Sequence, residues 1–465
     1  MADALAPFPS TALDQLRRTF GGEVITPAAD SYDDARRLWN AVHDLRPAVI
    51  VRPTSAAEVA TAIRFGRDRG LEIAIRSGGH SPSGHSSVND GLVIDLSAMR
   101  GVDVDPAART AHANGGALLG ELDVAGQAHG LVCPVGVVGH TGVAGLTLGG
   151  GVGRLQRRFG LTLDSVAAVE LVTADGRVVR ASEDEEPDLF WGVRGAGWNF
   201  GVVTGFELRL HPFGGTLNRG VLLYPGSQAA EIWSVFRDYA LQAPDTVSII
   251  FGIDRAGPTV EIPEELKGRP VVYIAYNHSG AAEDVERDIA GLRAGPRPVS
   301  ETSGPADYLE VQTAHDLVLG FGRRSFLLGA NADDIRLEAL DELVDLVGTA
   351  PGEGTFSATA MRGAIGRVPE DAMAYAGREA AFDLSADSGW DDPALDDANR
   401  DWVRRTMAVV EPDFTLGRYA NENADVGPEQ TRLLYGDAKV ARLAQLKRTW
   451  DPDNVFHLNH NVAPA

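Results

Sequence analysis

The sequence predicts an α+β protein of two domains, and three observations carry that reading. Helical and strand periodicities alternate from Pro53 to Leu96. A hairpin with an Asp-Gly turn and a further strand follow, ending at Pro212. Beyond that proline the glycines no longer cluster, and strand-like runs alternate with amphipathic helices to about Leu416.

The elements follow in order. Ser55 and Glu58 stand in capping-box spacing ahead of Val59 and Ile63 on one helical face, and Gly70 stops the helix. In LEIAIR, Leu71, Ile73 and Ile75 share one side at a period of two, and GLVIDLS is a second short strand. GALLGELDVAGQAHG reads as a helix with Leu118, Leu122 and Ala125 aligned and Gly130 closing it. VAAVELVTADGRVVRAS is a hairpin turning at Asp175-Gly176. GWNFGVVTGFELRLHP is a glycine-rich loop running into another strand. Farther on, AEDVERDIAGLR and LEALDELVDLVG read as helices, RPVVYIAY and TFSATAM as strands, and GWDDPALDDANRDW as an acidic, exposed segment. The tail begins as a helix that Asp451-Pro452 stops.

Bulk properties narrow the function. A formal net charge of -23 argues against nucleic acid, which needs a basic footprint. Cys133 is the single cysteine, so an internal disulfide and a cysteine-based zinc site are excluded. The N-terminus has no basic stretch followed by an apolar one, and no apolar run approaches the ~18 residues of a membrane span. A cytoplasmic protein without a membrane partner is the expectation.

The tract from Gly136 to Gly153 holds eight glycines in eighteen residues, a density too high for a regular helix or strand interior. Valine, leucine and threonine separate the glycines, unlike in a flexible linker. Such a loop suits close backbone approach to an anionic ligand, with a pyrophosphate the obvious candidate. With Ser77–Gly79 and Gly195–Gly201 it makes three glycine-rich loops, each joined to a strand. No dinucleotide G-x-G-x-x-G, G-x-x-x-x-G-K-[ST] phosphate loop or G-x-S-x-G elbow is present. His80 and His85 lack the H-E-x-x-H pattern, so no metal site is expected. By itself the loop histidine His80 reads as a solvated turn or as a cofactor contact.

Taken together, RPAVIVRPTSAAEVATAIRFGRDRGLEIAIRSGGHSPSGHSS, DGLVIDLSAM, GVAGLTLGGGVGRLQRRFGLTLD, LFWGVRGAGWNFGVVTGFEL and WDPDNVFHLNHNV resemble the FAD-linked oxidases related to berberine bridge enzyme. That family has the vanillyl-alcohol-oxidase (PCMH-type) FAD fold. The resemblance runs from about Tyr32 to about Pro212 and again from Gly417 to the end. It implies a PCMH-type FAD-binding domain over 1–213 (core about 32–213), a substrate domain over 214–416 with an antiparallel sheet covered by helices, and a segment, 417–465, completing the FAD domain.

Site roles are implied residue by residue. His80 in RSGGH is the residue joined covalently to the 8-methyl carbon of the flavin, with Arg76, Ser77, Gly78, Gly79 and Ser81 as the first pyrophosphate loop. Pro134, Val137, Thr141, Gly142, Gly145, Gly149, Gly150 and Gly151 belong to a second wall, and Val203 lies against the adenosine half. In the Y-x-N motif, Tyr419 takes the substrate proton while hydride passes to flavin N5; Asn421 and Asn459 hold the ring or position the base. Four departures stand out. Cys133 sits about five residues before the place of a second, cysteinyl link, which falls near Val138. Glu422 follows Y-x-N where an aromatic is usual, and could be the base if it faces the flavin, or bind a cationic substrate. His140 and Trp198 replace smaller residues.

The expected function is oxidation of a small organic substrate at a C–H next to oxygen or nitrogen, with covalent FAD reoxidised by O2 to give H2O2. The alternatives are a flavin-dependent oxygenase or oxidative cyclase tailoring a secondary metabolite, and a non-catalytic flavin-binding protein.

Overall fold

In the computed structural model, residues 10–257 and 262–465 are described; residues 1–9 of the first domain lie outside them. The N-terminal part holds two main sheets and a two-stranded pair, Leu131–Val132 with His211–Pro212. In the first, strands Val49–Arg52 and Ile73–Arg76 flank Leu92–Asp95 in parallel, and Glu23–Ile25 adds an antiparallel edge. The helix Ala56–Arg67 begins at Ser55, whose hydroxyl accepts the Glu58 N–H, and its Val59, Ala62 and Ile63 are buried. The second sheet is antiparallel, in the order Val102–Asp105, Thr110–Asn114, Val202–Arg209, Val166–Val172, Val178–Ser182. Its last two strands are the Asp-Gly hairpin, with Gly176 at φ +83°.

The second domain begins at the strand Thr216–Pro225 and is one seven-stranded antiparallel sheet. Helices Ala229–Ala240, Leu337–Gly348 and Asp396–Val410 bury one face of it, with Trp233, Phe251, Phe356, Phe382 and Trp402 in the core. The opposite face is polar. Along strand Phe382–Trp390, Phe382, Leu384 and Ala386 enter the core, so Asp383, Ser385 and Asp387 point the other way. The cross-strand rows on that face are Thr359–Asp383–Asn331, Ser357–Ser385–Gly329 and Thr355–Asp387–Leu327. The helical segment Pro428–Trp450, kinked at Gly436 (φ +73°), then returns the chain to the first domain.

Three local expectations are corrected and a fourth is qualified. The glycine tract contains a regular helix, Val143–Gly149. It is short, and the glycines at its two ends, Gly142 and Gly149, sit where neighbours press close. A side chain on Gly142 would lie 2.3 Å from the Gly78 nitrogen, and one on Gly149 would meet Asn421 and Trp198. GALLGELDVAGQAHG is helical from Leu119 to Gln127, but it buries Leu119, Leu122 and Gly126. AEDVERDIAGLR breaks into a short helix, Val285–Ile289, between two 3-10 turns. In GWDDPALDDANRDW the acids Asp391, Asp392, Asp397 and Asp401 are exposed as expected, but Trp390 ends a strand and Trp402, buried in a helix, packs in the core. Among the described residues no helix is long and apolar enough to cross a membrane.

Candidate active site

A cavity of about 340 Å³ runs between the two N-terminal sheets and up to the polar face of the second domain. Ser77, Gly78, Gly79, His80 and Ser81 line one side, on the turn that leaves strand Ile73–Arg76. Gly79 sits at φ +73°, a left-handed conformation suited to glycine. A Cβ on Gly78 would fall 2.2 Å from the Gly142 nitrogen, so the two glycine loops meet backbone to backbone. Val137, Val138, Thr141, Gly142 and Gly145 line the facing wall, and Gly201 and Val203 the inner end. The other end is closed by Tyr419, Asn421, Glu422 and the tail residues Phe456, Asn459 and His460.

Several residues assigned to the cofactor stand elsewhere. Arg76 does not line the cavity: its buried guanidinium donates to Asp95 at 2.7 Å and to the Ala35 carbonyl, anchoring the turn from behind. Pro134 is also outside, its carbonyl accepting the Thr162 hydroxyl at 2.6 Å. Gly149, Gly150 and Gly151 form no cavity wall. They seat Tyr419 and Asn421, for a Cβ at Gly150 would fall 3.0 Å from the Tyr419 ring. Cys133 is buried in the core beside Ser165, away from the cavity, and burial pushes its thiol up to about 12. A second link through Cys133 is therefore excluded, whereas Val138 is where counting along the motif places that position.

The Tyr419 oxygen accepts three N–H groups, from Gly151 at 3.2 Å, Val152 at 3.1 Å and the Asn421 amide at 3.0 Å. Asn421 also donates to the Leu146 carbonyl at 2.9 Å, which fixes the amide's orientation. Burial raises the phenol above its ordinary value; the three donors oppose the rise. Glu422 lies in the cavity wall, and burial, then the Asp387 charge, pushes its carboxyl up to about 7. Behind it, Asp387 is pushed up to about 6 by burial and accepts the Thr355 hydroxyl at 2.7 Å. Asp383 is raised further by burial and by Glu422, and its Oδ1 has no partner. None of the three pairs with an arginine or lysine among the described residues.

His80 is packed flat on Trp39, with ring centroids 5.0 Å apart. Its Nε2 lies 2.7 Å from His140 Nδ1. His140 stands behind His80 rather than in the wall, while Trp198 lines the cavity. His85 lines it too, and burial lowers its ring to about 4.

The residues present fit an FAD. The N–H groups of Gly79, His80 and Ser81 meet no protein acceptor among the described residues, leaving donors for a phosphate. Asn459 gives its amide N–H to the Trp198 and Phe456 carbonyls at 3.1 Å each, and its buried Oδ1 has no partner. His460 Nε2 donates to the Ala420 carbonyl at 3.1 Å, leaving a buried, unpartnered Nδ1 acceptor. Those acceptors suit ring N–H and ribityl hydroxyl groups. Sequence reasoning missed Trp39, Phe456, His460 and Leu327, which line the cavity, and the Asp383–Asp387 face that stands behind Glu422. The signal for the last was FDLSAD, where carboxylates alternate with core residues along a strand.

Comparisons with known proteins agree. Residues 47–182 match the family described as FAD binding domain, and residues 418–463 the one described as berberine and berberine like. The chain is 31% identical to (R)-6-hydroxynicotine oxidase of Paenarthrobacter nicotinovorans, over 95% of this chain and 97% of that one. It is 27% identical to an FAD-linked oxidoreductase of Dictyostelium discoideum, over 95% of each. The crystal structure of 6-hydroxy-D-nicotine oxidase from Arthrobacter nicotinovorans superposes with a TM-score of 0.86 at 30% identity, covering 96% of this chain and 98% of that one. The fold is also that of a glucooligosaccharide oxidase from Acremonium strictum, which carries a 6-S-cysteinyl, 8α-N1-histidyl FAD, at a TM-score of 0.85 and 22% identity over 98% of this chain and all of that one. With its two-sheet cofactor domain, its cavity and a relative matched end to end, this chain belongs to the berberine-bridge-enzyme-like family of FAD-linked oxidoreductases.

Proposed function

We propose that this protein is an oxidase of a cationic amine, with FAD tethered through His80 and O2 as the electron acceptor. The observation that carries the amine is the carboxylate group at the cavity end: Glu422, Asp387 and Asp383 share one region without a counter-cation. A Cβ on Gly329 would lie 3.5 Å from Glu422 Cβ and 3.7 Å from Asp383 Oδ1, which puts the two acids side by side. Buried carboxylates cannot all stay ionised unpaired, so either protons or a ligand cation must neutralise them. No cluster of His, Cys, Asp and Glu among the described residues is arranged to hold a metal ion, and an organic ammonium is the cation that suits. A relative of this chain is named for oxidising a hydroxynicotine, itself an amine.

FAD bound in the cavity supplies the acceptor for the hydride and its onward passage to O2 as H2O2. Asp383 and Asp387, behind Glu422 and outside the cavity lining, draw the ammonium towards Glu422 through their charge. Glu422, near neutral in its proton affinity and in the cavity wall, takes the ammonium proton and frees the nitrogen lone pair that hydride loss requires. Tyr419, gripped by three N–H donors, can aim its own O–H only away from them and orients the substrate. Nothing on this face supplies a further chemistry that favours the oxygenase or cyclase reading.

The test is anaerobic titration of the holoenzyme with secondary and tertiary amines and with alcohols and sugars of matched shape. Flavin bleaching should follow amines alone and weaken in Asp383→Asn. Bleaching by the neutral alcohols or sugars, with amines inert, would refute the reading.

A further inference from the structure

Behind His80 lies a relay whose direction the hydrogen bonds fix. His140 Nε2 is 3.2 Å from the backbone carbonyl of Asp316, which can only accept, so that nitrogen carries a proton. The other ring nitrogen, Nδ1, faces His80 Nε2 at 2.7 Å. No carboxylate meets either nitrogen of His140, since the Asp316 side chain is taken up by the Gly139 N–H at 2.7 Å. A neutral His140 therefore presents a lone pair at Nδ1, and His80 must give its proton from Nε2. The proton of His80 is thereby placed on the side away from the cavity. Its Nδ1 is left with a lone pair and no protein partner among the described residues.

The packing holds this arrangement. Trp39 covers one face of the His80 ring and is pinned by its own N–H to the Leu319 carbonyl at 2.6 Å. Phe321 meets the same ring edge-on, at 5.7 Å between centroids. Burial, then the charge His140 can carry, lowers His80 to about 3, which keeps the ring an uncharged nucleophile.

We infer that His140 is a positioning residue for attachment of the flavin: it orients His80 so that Nδ1 forms the link, and it receives the Nε2 proton as the link forms. The inference rests on the covalent tether proposed above. In the step, a bond forms between His80 Nδ1 and the 8-methyl carbon, one C–H bond of that methyl breaks, and His80 loses its Nε2 proton to His140. The two electrons left on the ring system pass with two protons to O2, so FAD, His80 and O2 give tethered FAD and H2O2. His140 ends with its original proton count once the transferred proton is passed on.

Three full-length proteins, prepared free of flavin and then given FAD, test this: wild type, His140→Ala and His140→Gln. For each, total bound flavin and its acid-stable fraction are measured over time after FAD is added and, for wild type, NMR assigns the alkylated nitrogen in the flavin-bearing peptide. The expected result is full acid-stable flavin on Nδ1 in wild type. The alanine variant should bind FAD but link it at least tenfold more slowly, with added imidazole restoring the rate. The glutamine variant, which keeps the hydrogen bonds without the basicity, should also stay slow. A wild-type link on Nε2 overturns the inference even if the variants fail to fold, as does an alanine variant that links as fast as wild type. Wild type with no acid-stable flavin at all defeats the tether itself, a different result from either.

Discussion

Glu422→Gln is expected to lower kcat/KM for an amine substrate by about 10²–10⁴-fold at pH 8, the usual worth of a positioned base. In wild type kcat/KM should rise as pH climbs through about 7, because the carboxyl must lose its proton before it can accept one. The variant should lack that limb. Tyr419→Phe removes one hydrogen bond to the substrate and should cost about tenfold in kcat/KM, while the three N–H groups it strands lower stability instead. Steady-state kinetics across pH 5–9 decides between them. If the tyrosine variant is the crippled one and the glutamine variant keeps the wild-type pH profile, the base is Tyr419.

The second large effect concerns the tail. Lys447 and Asp451 are both fully buried and paired at 2.7 Å. The ammonium also donates to the Asn199 and Phe456 carbonyls, at 2.7 and 2.8 Å, so all three of its protons are used. Asp451 accepts the Val455 and Phe456 N–H groups as well. This clamp fixes the loop that carries Phe456, Asn459 and His460 into the cavity. Lys447→Met should cost about 3–5 kcal/mol, because it strands a buried carboxylate. Urea unfolding of the holoenzyme measures the loss, and weaker flavin retention should accompany it. A loss below about 1 kcal/mol would mean that the clamp does not hold the tail.

Much of the cofactor half was legible in the sequence, because its devices are local. Ser55 capping, the Asp175-Gly176 turn and the RSGGH turn are each written in a few adjacent residues. The carboxylate face was not. Asp383 and Asp387 reach Glu422 only through the pairing of distant strands, and the alternation in FDLSAD does not say which face of the sheet meets the cavity. The roles of Arg76 and Gly149–Gly151 were hidden for a related reason. A motif places residues near a cofactor but does not say which of them face it and which brace those that do. Arg76 braces the turn through Asp95, and the glycines make room for Tyr419.

The role given to the first glycine loop turns on a flavin carried by His80. Purified protein precipitated in acid should keep its yellow colour, and His80→Ala should release it all while Cys133→Ala keeps it. Complete release of the flavin from the wild-type protein would contradict the account.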